Sequence, residues 1–493
     1  MTQHRLIIKY TSTNTIGYIL STLINFLYYS LLVRYLGVEN YGLIVIANIF
    51  SIIGLISLLD IGLPGSINRY CSILFKKGNS LKLSYVYTYT MILFALIGVL
   101  AVLISHLFFV DLYSTHFDKD SSLKGAIYIV LFSLPYQFPL LLVKSYYKAL
   151  EKYSSLHIVL ISVDLLKLGL TVIASQYEAD NIDILLISSY IHLISFVLLI
   201  YNLPIKPIFI FRVKYFILFF RRLYKLSFYI FIQRISSVLY SSTDKIFASI
   251  ILGPIAAATI DVLSKIPLIV NKMLGLSVSA IVPSLSLTNT NSVVEMHKVS
   301  IIFMNGTRFY AFILYPLISI LFFNSADIFE KWLVVSDPVI IQGFEYLLFW
   351  SLLFPFYFGG TILVALNRFV REYSITLFSL PILKIFFILF FSSEIEIIHF
   401  PLSYLFSSLP IIYLLYIYRL VFGNFIVKVS YFLVLTFSFS FGVYYLLSLV
   451  DNFYLHNILF TFCYLLIMLV LGVTNSERLY ILNKLRGFSI VKF

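Results

Sequence analysis

The chain has 493 residues, of which 61% are hydrophobic and only 12% charged, with a formal net charge of +13. So much apolar surface is more than a water-soluble core can hide, which excludes a soluble globular protein and makes the bilayer part of its solvent. The positive balance does not mark a nucleic-acid partner, because Lys and Arg are spread along short connections between apolar runs instead of forming a basic domain.

A membrane-crossing helix needs about 20 apolar residues. By that measure the chain reads as an all-α polytopic membrane protein with about fourteen transmembrane helices. They fall at about 14–36, 42–67, 84–109, 124–147, 155–176, 184–203, 226–251, 255–282, 300–323, 344–366, 373–392, 400–418, 428–450 and 457–474. The first run follows His4, Arg5 and Lys9, is too long for a signal-peptide core and lacks a small-residue cleavage site, so it is expected to stay as a span. Gly253 and the trio Pro381, Pro401 and Pro410 interrupt the pattern and are its soft points. Cys71 and Cys463 lie in or beside spans and far apart, so neither a disulfide framework nor a metal site is indicated.

Loop charge sets the orientation. Segments carrying Arg69, Lys76, Lys77 and Lys82, then Lys144, Lys148 and Lys152, then Lys206, Arg212, Lys214, Arg221, Arg222 and Lys225 belong on the cytoplasmic side. The opposite side keeps only Arg34, Lys119, Lys124 and Lys331. Both termini are therefore expected in the cytoplasm. The basic connection at 206–225 divides a first unit, 1–205, from a second, 226–420, with two extra spans and a tail at 421–493. A faint echo crosses that joint: Leu36-Gly37 and Leu252-Gly253 each end a span and lead at once into the next. Duplicated halves around a substrate site are a common transporter plan.

Ionised groups inside the spans carry the functional argument. Lys167, Arg234, Lys245, Lys265, Lys272, Arg308 and Lys384 share the spans with fewer acids: Asp60, Asp164, Asp244 and Asp261. A cation at the bilayer centre costs roughly 2.5–3.5 kcal/mol on insertion scales, so these groups should face a protein interior or a wet cavity. Helical projection puts Asn14, Tyr18, Ser21, Asn25 and Tyr28 on one stripe of the first span, and Asp164, Lys167, Thr171 and Ser175 on one stripe of the fifth. Arg234, Ser241 and Lys245 align in the seventh, with Asp244 beside them, and Asp261, Lys265 and Lys272 align in the eighth. Such stripes cannot face lipid, and one shared lumen is the economical arrangement.

Excess positive charge in that lumen favours an anion. Arg234, Lys245, Lys265, Lys272 and Arg308 are the candidates for a phosphate or pyrophosphate, and Asn25 and Tyr28 for sugar hydroxyls. Two of the cations have an alternative reading, since Asp164 with Lys167 and Asp261 with Lys265 stand at helical pair spacing. Lys272 and Arg308 have a different one as anchors that snorkel to the membrane surface. Asp60, Asp244 and Asp261 are candidates for coupling or gating, although Asp60 also suits a contact between helices. His192 could relay protons or be a packed side chain. The sequence has no phosphate-binding Gly loop, HExxH or nucleophile motif, and no connection of more than about two dozen residues to house a catalytic region.

Arg34-Tyr35-Leu36-Gly37 with Tyr41-Gly42, then Leu59-Asp60-Ile61-Gly62-Leu63 and Arg69-Tyr70, resemble the opening of bacterial polysaccharide exporters and O-antigen flippases. Asp244-Lys245-Ile246, Leu252-Gly253 and Lys265 are similar to the seventh and eighth helices of that family, although Ala258 and Ile260 stand where it would have Gly and Tyr. The family belongs to the multidrug/oligosaccharidyl-lipid/polysaccharide exporter superfamily. The resemblance covers about residues 10–270 by motif and the remainder by hydropathy. It implies two six-helix bundles around a cationic central cavity plus two C-terminal helices, in the bacterial cytoplasmic membrane. It also implies a substrate, a polyprenyl-pyrophosphate-linked oligosaccharide moved from the inner to the outer leaflet. Membrane lipid and glycan assembly proteins are the expected partners, and no cofactor is implied. The rival readings are a cation-coupled multidrug extruder, a membrane-embedded glycan polymerase and an assembly scaffold. A cationic drug would prefer more acids in the lumen than this chain supplies.

Overall fold

The computed structural model describes residues 3–51, 54–60, 62–107, 121–205, 207, 213–279, 292–333, 337–366, 368–391, 394–447, 457, 459–461 and 463–464. Every regular element among them is helical. Helix α1, Gln3–Ile49, holds the first expected span and the start of the second, because Gly37 (φ 77°, ψ 168°) breaks it without ending it. A side chain at that φ would be strained, and Gly is free of that penalty. The second expected span does not continue as one helix to residue 67. It runs to Ile49, passes through a short 3₁₀ helix, Leu55–Asp60, and restarts as α2, Leu63–Lys76. Hydropathy is continuous there, but Pro64 in the first turn of α2 fixes a helix start, and the Asp60 carboxylate takes the Gly62 N–H at 2.7 Å. A carboxylate at that end suits the helix dipole.

Helices α3 (Ser80–Ser105), α4 (Ser121–Ala149), α5 (Tyr153–Gln176) and α6 (Asn181–Tyr201) follow the expected spans closely. Asn79 caps α3, and an Asp180–Asp183 capping box starts α6. Helix α7, Val213–Leu252, begins inside the segment expected to be a linker at 206–225, so that connection is helical from Val213 onward. Helix α8, Pro254–Ser279, leaves it across Gly253 (φ 91°), so both halves of the Leu-Gly echo are turns with left-handed glycines. Helices α9 (Val293–Phe323), α10 (Ser325–Leu333), α11 (Pro338–Ser351), α12 (Phe354–Leu366), α13 (Val370–Phe390), α14 (His399–Ser407), α15 (Ile411–Phe422) and α16 (Phe425–Leu447) complete the chain. Pro381 is absorbed inside α13, whereas Pro410 separates α14 from α15.

Among the described residues nine helical stretches are long and apolar enough to cross a membrane, with a tenth if α11 and α12, bent by 41°, form one broken span. That is fewer than the fourteen expected. The difference has particular sources: the second span joins α1 across Gly37 and is broken before α2, the seventh and eighth, in the charged helices α7 and α8, are not among the nine, and most of the span expected at 457–474 lies outside the described residues.

Helix α1 packs on α5 and on α8, α3 on α4, α4 on α2 and α6, α7 on α13, and α9 on α16. Among the described residues the two main seams between the parts of the chain before and after residue 213 are α1 against α8, and α2 with the 3₁₀ turn against α7. The first seam is close because a Cβ on Gly42 would lie 2.3 Å from the Pro254 carbonyl oxygen. Gly42→Ala is expected to lower stability by about 1–3 kcal/mol through overpacking. Thermal unfolding in detergent checks this, with Gly169→Ala, where the added methyl meets open space, unchanged or slightly raised.

Candidate functional site

The α7–α8 turn sets the site's register. Lys245 and Asp261 stand eight residues before and after Gly253, so the antiparallel helices bring them abreast. Lys245 and Asp261 form an ion pair through Nζ and Oδ1, and Lys265, one helical turn further along α8, reaches Oδ2 at 3.0 Å. From across the first seam the Tyr41 hydroxyl donates to the same Oδ2 at 2.6 Å, and the Tyr29 ring lies 3.4 Å from the Lys265 ammonium. Two ammonium groups therefore share one carboxylate. Their exposure differs in a useful way: the Lys245 and Lys265 side chains are 22% and 20% accessible, Asp261 only 6%. The two cations are partly accessible, and the carboxylate between them is withdrawn.

The polar stripe of α1 meets the stripe of α5. Ser21 donates to Asp164, Asn25 Nδ2 binds the Ser21 carbonyl at 2.8 Å, and Lys148 of α4 reaches the Tyr18 hydroxyl at 3.1 Å. Lys167 has no ion pair with Asp164 among the described residues; its ammonium lies 3.8 Å from the centre of the Tyr28 ring. Tyr28 and Tyr29 are themselves in edge contact, so a tyrosine pair on α1 separates Lys167 from Lys265. Tyr28 is buried, at 4% exposure, and serves the cations more directly than it could serve a sugar in this state. Thr171, Ser175 and Ser241 turn back to their own helices, leaving the charged members of each stripe to reach across.

Other expected site residues lie elsewhere. Arg234 pairs loosely with Asp60 across the second seam, Nε to Oδ2 at 3.8 Å. Arg234 is 38% accessible, so solvent limits this pair to about 1 kcal/mol or less. Asp60 thus acts as a contact between helices in this conformation. Asp244 faces away from Lys245, into a cluster formed by α7, α13 and α14. There Lys384 binds it at 2.8 Å, Tyr404 donates at 2.5 Å, and the Lys384 ammonium also meets the Tyr240 carbonyl at 2.6 Å. Arg308 stacks against Phe432 of α16, at 4.8 Å, and does not join the Asp261 group. The Lys272 and Asn14 side chains lie outside the described residues. No group of three His, Cys, Asp or Glu that could hold a metal occurs among the described residues.

The Lys384–Asp244 pair is sealed, both side chains having no solvent exposure. Lys384→Met strands a buried carboxylate and is expected to cost about 3–5 kcal/mol, whereas Lys384→Met with Asp244→Asn recovers most of it. Unfolding midpoints of the purified variants check this.

A match to the family described as polysaccharide biosynthesis protein covers residues 7–288, more than half of the chain. The chain belongs to that family. The matched part of this family member includes the α7–α8 turn, Asp261 and both of its lysines. Its fold superposes on lipid II flippase MurJ in an inward closed conformation, with a TM-score of 0.68 at 18% identity, over 93% of this chain and 97% of that one. A MOP-superfamily transporter from Pyrococcus furiosus gives 0.63 at 10% identity, over 85% and 96%. A MATE structure in complex with MaL6 gives 0.62 at 11%, over 87% and 96%. No curated protein sequence matches the chain. This family member is a multi-pass membrane protein with the fold of lipid II flippase MurJ and of the MATE structures.

Proposed function

We propose that the protein moves a polyprenyl-pyrophosphate-linked oligosaccharide from the cytoplasmic to the outer leaflet by alternating access. The observation that carries this reading is the shared carboxylate: Lys245 and Lys265 against Asp261, at the seam where α1 meets α8, with Lys167 just beyond Tyr28 and Tyr29. Pyrophosphate competes with Asp261 for the two ammonium groups and gains charge-assisted hydrogen bonds that the single carboxylate cannot match. As the phosphates leave, Asp261 takes its lysines back, so the empty carrier is never left with unpaired cations in the bilayer. Residues 1–205 and 226–420 are the two rocking bodies, and the extra spans at 421–493 accompany the second. Tyr41–Asp261 and Gly42–Pro254 close one end of the path, Asp60–Arg234 the other. The last pair is weak enough to open when a ligand binds the open state better, which is the differential affinity a moving equilibrium requires. Loop charge supports termini on the cytoplasmic side, and the resemblance to bacterial exporters supports the bacterial cytoplasmic membrane.

Reconstitution into liposomes tests the proposal. A lipid-pyrophosphate oligosaccharide placed in the inner leaflet is followed by an external glycan-modifying probe. Protein-dependent exposure is expected. Its absence, together with proton- or sodium-driven movement of a cationic dye, would put the chain with the drug extruders instead.

A further inference from the structure

A second polar compartment lies in the first half of the chain, away from Asp261. It is a cavity of about 140 Å³ between α4, α6 and the end of α1. Its polar lining includes Asn48, Ser133, Gln137, Lys144, Ser188 and His192, and none of its lining residues is a carboxylate. Such a space is several times the ~10–15 Å³ that one water needs, so it exceeds what solvating one ammonium requires. Gln137 Nε2 donates to the Ser133 hydroxyl at 2.7 Å, which directs the amide and leaves its carbonyl available. Lys144 is an ammonium within a membrane helix with no carboxylate at ion-pair distance among the described residues. The charges that act on it are Asp164 of α5 and Lys148 of its own helix. His192, on the cavity wall, lies within electrostatic range of both Lys144 and Lys167.

The aliphatic wall of Ile129, Val130, Leu140, Leu141 and Leu185 suits the apolar face of a sugar ring, and hydroxyls, amides and one underneutralised ammonium among it suit a polyol carrying an anionic group. We propose that this cavity is a carbohydrate subsite that takes an acidic sugar of the translocated glycan, its carboxylate on Lys144 and its hydroxyls on Gln137, Ser188 and Asn48. The proposal rests on the flippase reading and adds glycan selectivity to it: Asp261 and its lysines read the pyrophosphate, and this cavity reads the sugar beside it.

The test compares three probes on the purified full-length protein by native mass spectrometry: a polyprenyl pyrophosphate, the same lipid bearing one neutral hexose, and the same lipid bearing one hexuronic acid. The hexuronate is expected to bind at least tenfold tighter than the bare lipid, with the hexose between them. Lys144→Gln should remove the advantage of hexuronate over hexose, and Gln137→Leu the advantage of either sugar. Ser188→Val is the second lining variant, and each variant is compared at an unfolding midpoint equal to wild type. Lys245→Gln should weaken all three probes alike. Binding in which the sugar adds nothing, or adds the same in Lys144→Gln, overturns the subsite and leaves the flippase reading standing. Failure of all three to bind wild type overturns both. Stabilisation by inorganic phosphate or chloride alone, lost in Lys144→Gln, with no gain from hexuronate, would make this a small-anion site and overturn the carbohydrate assignment.

Discussion

Replacing Lys245 or Lys265 by Gln lowers transfer of the lipid-linked pyrophosphate at least tenfold, and the double variant abolishes it within detection. A hydrogen bond to a charged group contributes about 1.5–3 kcal/mol, and each 1.4 kcal/mol is a factor of ten. Neither single change strands a buried charge, since Asp261 keeps its other lysine and the Tyr41 hydroxyl. Membrane abundance should therefore stay near wild type while transfer falls. Lys265→Arg should retain more transfer than Lys265→Gln, because the fork keeps the charge and adds donors. Equal loss in the two would mean that Lys265 acts through packing on the Tyr29 ring. The measurement is the liposome transfer rate, normalised to reconstituted protein.

Asp261→Asn has the opposite signature on binding. Removing the carboxylate frees two ammonium groups, while the Asn carbonyl still accepts from Tyr41, so polyprenyl pyrophosphate is expected to bind about tenfold tighter. Transfer should nevertheless slow, because nothing then competes with the phosphates when they must leave. A carboxylate that merely holds α1, α7 and α8 together would lower affinity and transfer together when neutralised. Equilibrium binding and transfer measured on one preparation separate the two roles.

What the sequence disclosed and what it hid follow from the range of each interaction. Spans were visible because hydropathy is local, and Lys265 with Asp261 because they are one helical turn apart. Partners brought by other helices were not visible. Arg234 and Lys384 had no acid at helical spacing, yet Asp60 and Asp244 meet them from distant segments. Asp244 and Lys245 are adjacent in sequence but point into different clusters, since neighbours on a helix diverge by about 100°. Lys144 and Lys148 read as cytoplasmic loop charges, whereas α4 extends to Ala149 and leaves both half-buried, Lys144 on the cavity and Lys148 against Tyr18. Tyr41 and Gly42 belonged to the motif that carried the family resemblance; their tasks, a hydroxyl on Asp261 and room for the Pro254 carbonyl, are geometric. The break before α2 was written in Asp60, Gly62 and Pro64, but a continuous apolar run masked it.

The transport cycle proposed above depends on Lys245 and Lys265 reading a pyrophosphate. The most direct measurement compares binding of a polyprenyl pyrophosphate with that of the uncharged polyprenol of equal chain length, on wild type and on the Lys245→Gln/Lys265→Gln double variant. Wild type is expected to prefer the pyrophosphate strongly and the double variant to lose that preference, with the polyprenol indifferent to the substitutions. Equal binding of the two lipids to wild type, or a pyrophosphate preference that survives the double substitution, would remove Lys245 and Lys265 from the substrate site.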